Sequence, residues 1–88
     1  MQFTPKSGNT MRVVEITKEP VELYKILKFE GMVASGGEAK LVIADGHVLL
    51  NGNIETRKRK KIVSGDIIEF DEEVIRIKLA NKQTGNTQ

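Results

Sequence analysis

Arg57, Lys58, Arg59, Lys60 and Lys61 form an unbroken basic run inside the stretch IETRKRKKI, residues 54–62. A guanidinium presents a planar fork that matches two phosphate oxygens at once, and an ammonium acts as a mobile point charge. A mixed run of both therefore suits an irregular track of phosphates. Three further lysines, Lys25, Lys28 and Lys40, recur on what read as the exposed sides of two helices and can extend the same surface. The formal net charge is only +2, yet residues 47–62 carry five basic side chains against one acid, Glu55, and residues 66–79 carry five acids against two basic ones. A molecule charged in this two-sided way suits an oriented contact with a polyanion.

Other chemistries lack their parts. Gly31 and Gly36 have the spacing of a phosphate-loop glycine pair, but Gly37 and Glu38 stand where lysine and a hydroxyl residue are required. His47 is the single histidine and there is no cysteine, so neither a metal centre nor a nucleophile with its base can be assembled from the usual groups. The acids from Glu69 to Glu73 lack the alternating ligands and internal glycine of a calcium loop and read as a solvated turn. Gly36 and Gly37 could open helix amides to a phosphate, but Ser35 and Glu38 already occupy that position, so helix packing is the favoured explanation. No enzyme activity, cofactor, metal or small-molecule substrate is expected. Phe29 and Phe70 read as core and Tyr24 as isolated, so no aromatic platform for single-stranded bases is evident.

The elements that must position these cations follow from local signals. Residues 11–16, MRVVEI, are β-branched enough for a first strand. Pro20 suits the first turn of a helix over residues 21–29, with Leu23, Ile26 and Leu27 buried and the chain turning near Gly31. Ser35-Gly36-Gly37-Glu38 has the form of a capping box opening a second helix to about Asp45, which buries Ala39, Val42 and Ile43 and stops at Gly46. Asn51-Gly52 between short apolar runs predicts a type I′ hairpin with Leu50 opposite Asn53, Leu49 opposite Ile54 and His47 opposite Thr56. Ser64-Gly65-Asp66 marks a turn, IIEF a strand, and VIRIKL a last strand burying Ile75, Ile77 and Leu79. The fold class is α+β: two short helices packed against a small, mostly antiparallel sheet of four or five short strands.

Eighty-eight residues make one small domain, read as residues 11–79 between a flexible N-terminus, 1–10, and a flexible tail, 80–88. The opening MQFTPKSGNT lacks the apolar centre of a signal peptide, and no apolar run approaches the roughly 20 residues that span a bilayer. A soluble, unprocessed, cytoplasmic protein with no membrane partner is expected.

Taken in order, SGGEAKLVIADGHVLLNGNIETRKRKKIVSGDIIEF resembles the S-four RNA-binding domain, the family of the fourth protein of the small ribosomal subunit. Leu23 to Leu27 match its first helix, Glu38-Ala39-Lys40 and Ile43 its second, Val48 to Gly52 its "V-x-V-N-G" turn, and Ser64-Gly65-Asp66 its "P-G-D" turn. The match covers roughly residues 20–70. Many members carry serine-arginine at the start of the second helix; here Ser35 is followed by Gly36, and the chain is most similar to the small stand-alone bacterial members. The resemblance implies the helix-pair and hairpin arrangement called the αL motif. It also implies binding of structured or double-stranded RNA, ribosomal or transfer RNA among them, with the ribosome as a setting and no catalytic domain attached. The RNA-contacting residues would be Lys25, Lys28, Lys40, Arg57, Lys58, Arg59, Lys60 and Lys61. The competing expectation from charge alone is a protein-interaction module whose basic surface docks an acidic partner.

Overall fold

The computed structural model describes residues 10–80. The termini expected to fray, residues 1–9 and 81–88, lie outside the described residues. Thr10 and Ala80 do not: Thr10 opens the first strand, and the Ala80 amide donates to the Ile16 carbonyl at 2.7 Å.

A five-stranded sheet carries the fold. Its strands are β1 (Thr10–Ile16), β3 (Val48–Leu50), β4 (Asn53–Ile54), β6 (Ile67–Phe70) and β7 (Glu73–Leu79), in the order β1-β7-β6-β3-β4. Every pairing is antiparallel except β1 with β7, which runs parallel from Thr10 opposite Glu73 to Ile16 opposite Leu79. The expected α+β architecture is therefore present, and β1 forms one edge.

Two more strands, β2 (Val21–Glu22) and β5 (Lys61–Ile62), pair with each other in a separate ribbon. This ribbon corrects the expectation for the first helix. Because Val21 and Glu22 are held extended against Ile62 and Lys61, α1 spans only Leu23–Phe29, and Pro20 lies in the connection before the ribbon rather than in a helical turn. The helix α2 (Gly36–Ala44) follows, with Asp45 as its cap and Gly46 at φ 83° beyond it, where glycine takes the left-handed conformation without penalty.

The capping box opens α2 as expected, with a shift in one partner. The Glu38 amide donates to Ser35 Oγ at 3.1 Å, but the Glu38 carboxylate accepts from Ala34 N at 2.9 Å, one residue before the cap. The Asn51-Gly52 turn has both residues at positive φ, 51° and 87°, as a type I′ turn requires. Its ladder comprises Leu50 with Asn53 and Leu49 with Ile54 and stops there; His47 does not pair with Thr56, because the chain turns inward at Glu55.

Leu23, Ile26 and Leu27 of α1, Ala39 and Ile43 of α2, Val48, Ile62, Ile68, Ile75 and Ile77 are buried in one core, with Val42 and Phe70 packed on its margin. Two expected core residues lie elsewhere. Leu79, the last strand residue, is exposed, and Phe29, the last residue of α1, is 68% exposed.

Candidate nucleic-acid interface

The basic run is a closed turn built around the one acid beside it. The Glu55 amide donates to the Val48 carbonyl at 2.9 Å, which draws the residue under the surface, where it is 8% exposed. Its carboxylate then accepts three hydrogen bonds from Arg57: backbone N at 3.0 Å and Nε at 2.9 Å to Oε2, and Nη2 at 3.3 Å to Oε1. Hydrogen bonding to the Arg57 side chain holds the Glu55 carboxyl below the usual glutamate range, against the opposing pull of burial and with help from Lys60. The same contact raises the Arg57 guanidinium, which stays charged.

The turn is fastened to α1 through its backbone. Lys60 N donates to Arg57 O at 3.1 Å, and the carbonyls of Lys60 and Lys58 accept from Leu23 N at 2.9 Å and Tyr24 N at 3.1 Å. These are first-turn amides that no earlier turn of helix can satisfy, and Glu22, the N-cap, contributes no side-chain bond. The sequence therefore uses one geometry twice. The carbonyls of the basic run cap the helix, and in doing so leave Lys58, Arg59 and Lys61 exposed.

Tyr24 and Glu22 join this turn to the helices. Over the Tyr24 ring lie Lys40 Nζ from α2, 4.7 Å from the centroid, and Arg59 Cζ, at 5.7 Å. Glu22 reaches Arg59 Nη1 at 3.5 Å with one oxygen and Lys25 Nζ at 3.7 Å with the other. A Cβ on Gly36 would stand 3.8 Å from Lys28 Cδ and 3.9 Å from the Tyr24 ring, so the start of α2 rests on α1 at ordinary contact distance. Helix packing, the favoured explanation from the sequence, therefore does not require glycine at position 36. Gly37 would meet only Ser35 Oγ, at 3.8 Å.

The structure therefore gathers the eight cations singled out in the sequence along α1, the adjoining part of α2 and the basic turn. Lys25 and Lys28 are exposed as expected; Lys40 is half-buried, because its stem lies against Tyr24. Tyr24 is not isolated but central. The guanidinium forks of Arg57 and Arg59 are not free for phosphate: each already holds a glutamate. Sequence reasoning missed Glu55, Glu22 and Tyr24 as organisers. Glu55 had a local signal, a lone acid two residues before an arginine at a strand exit; the partners of Tyr24 are distant in the chain and had none.

Comparison with known proteins bears on this arrangement. The sequence pattern of the S4 domain matches residues 14–78, most of the chain. The chain belongs to the S4 domain family. This S4 domain is 48% identical over 61 residues to YbcJ of Escherichia coli strain K12, named as a candidate RNA-binding protein, across 68% of the present chain and 87% of YbcJ. It is 31% identical over 58 residues to RlbA of Bacillus subtilis strain 168, whose name provisionally assigns it to ribosome maturation, across 66% of the chain and 82% of RlbA. The solution structure of E. coli YbcJ superposes with a TM-score of 0.60 at 35% identity, covering 89% of the present chain and 94% of the YbcJ chain, and is described as revealing an αL motif involved in RNA binding.

Proposed function

We propose that this S4 domain is a non-catalytic RNA-binding protein that holds the phosphates of structured or double-stranded RNA on its helix pair and basic turn. The observation that carries the reading is the fastening of the Arg57–Lys61 turn to the first amides of α1, with Lys40 and Arg59 over one tyrosine ring. Cations from three elements are thereby held in fixed relation, as a shaped phosphate contact needs and a solubilising loop does not. Double-stranded RNA offers phosphates and 2′-hydroxyls across a wide, shallow minor groove, which a convex helix pair can read by shape. Lys25, Lys28, Lys40, Lys58, Lys60 and Lys61 supply point charges; Arg59 turns from Glu22 to phosphate, and Arg57 shapes the turn while offering its remaining guanidinium edge. The likeness to YbcJ supports RNA as the ligand, and the likeness to RlbA, named for ribosome maturation, supports a ribosomal setting.

The test compares fluorescence anisotropy of a labelled RNA hairpin with a DNA hairpin of the same sequence at low salt. Tighter binding of the RNA supports the reading. Absence of RNA binding, with capture of an acidic protein through the same surface, would favour the protein-interaction module instead.

A further inference from the structure

Beside the basic turn, α1 and the edge of β1 enclose an open trough of about 850 Å³, a volume within the range of small-molecule sites. Its wall follows Val14 to Ile16 along the edge of β1 that has no strand neighbour among the described residues, and continues through Thr17 and Lys18, so backbone groups of that edge are presented there. Lys18, Lys25, Lys28 and Lys61 line it. Of its acids, Glu22 is engaged by Lys25 and Arg59 and Glu30 by Arg12, which leaves Glu15. Phe29 stands on the rim, 68% exposed, and the core is complete without it. Lys28 Nζ is 5.9 Å from the ring centroid, at the outer limit of a cation–π contact, so the ring face remains largely open.

We propose that this trough is a second RNA subsite, which takes an unpaired nucleotide extending from the duplex bound on the main interface. The base stacks on Phe29, its polar edge meets the open backbone of β1, and its phosphate lies between Lys25 and Lys61, which with Lys28 are shared with the main surface. Exposed phenylalanine beside several ammonium groups fits a nucleotide better than an apolar peptide, because a base supplies the π-face and its phosphate the charge in a single unit. The subsite rests on the RNA-binding reading above and adds a preference for a junction of paired and unpaired RNA.

The test uses two RNA hairpins, one blunt and one with a three-nucleotide unpaired extension, titrated by anisotropy. The extension should tighten binding by at least about fivefold, the lower end of what one base on an aromatic ring contributes. Phe29→Ala should remove that gain and leave the blunt hairpin within about twofold of the parent, while Phe29→Tyr retains it. The chain has no tryptophan, so Phe29→Trp provides a unique fluorophore, which the extended hairpin should quench and the blunt one should not. An extension that adds no affinity, or a Phe29→Ala loss shared equally by both hairpins, overturns the subsite while leaving the main interface standing. Failure of both hairpins to bind overturns the two readings together.

Discussion

Glu55 lies just beneath the surface under Arg57, and three hydrogen bonds from that arginine define the turn, so the shape of the basic run depends on the carboxylate remaining ionised. Because the folded state depresses its pKa, its stabilising contribution is fully present above the ordinary glutamate value of 4.5 and is lost as the pH falls through the lower folded value. Glu55→Gln should reduce unfolding free energy at neutral pH by about 1 kcal/mol, the pair being partly screened by solvent. Denaturant unfolding at a series of pH values should find the gap between variant and parent closing below that range. Tyr24 acts differently, by holding Lys40 and Arg59 over one ring. Tyr24→Phe preserves the ring and should bind RNA like the parent; Tyr24→Leu should weaken binding about two- to fivefold, from the usual size of an exposed cation–π contact. Titration at several salt concentrations distinguishes this from lost charge: because no cation is removed, the slope of log K against log salt should be unchanged.

The β6–β7 connection illustrates how a turn can be placed correctly and still carry strain. Phe70 pairs with Glu73, so Asp71 and Glu72 form a two-residue turn, with φ of 53° and 68° in residues that have a Cβ. Glu72→Gly should raise stability by about 0.5–1 kcal/mol, as read by the denaturation midpoint, because relief of the left-handed conformation exceeds the entropy cost of glycine. The acidic turn was readable from its composition, as were the α2 capping box and the Asn51-Gly52 hairpin, since each is specified within four residues. The β2–β5 ribbon was not. It has two residues a side, and both helices and the hairpin separate its strands in the chain, so Val21 and Glu22 look locally like the start of a helix. The parallel pairing of β1 with β7, and the tethering of α1 by carbonyls of the basic turn, are hidden from local pattern for the same reason. Asn51 shows a middle case: its turn role is local, but its side chain also accepts from Ile67 N at 2.9 Å and donates to Asp66 at 3.1 Å, joining two motifs that read as separate.

Across the molecule, charge is ordered along α1. At its start, the backbone carbonyls of Lys58 and Lys60 accept from the first amides and so fasten the basic turn there; at its end, Glu30 shares Arg12 with Glu73 of the acidic hairpin. The two-sidedness inferred from the sequence thus becomes a polarity of the fold, which orients an approaching polyanion toward the basic turn. Phe29 was the largest misreading, because its helical position next to the core residues Ile26 and Leu27 gave no sign that the trough would leave it uncovered. The placement of the cations is the central claim, and the salt dependence of binding tests it most directly. If about five phosphates are contacted, log K should fall against log salt with a slope of about −3.5 to −4.5. Replacing Lys58, Arg59 and Lys61 by alanine should flatten that slope by about two to three units. A triple variant with unchanged slope and affinity would contradict the assignment of the basic turn to the RNA interface.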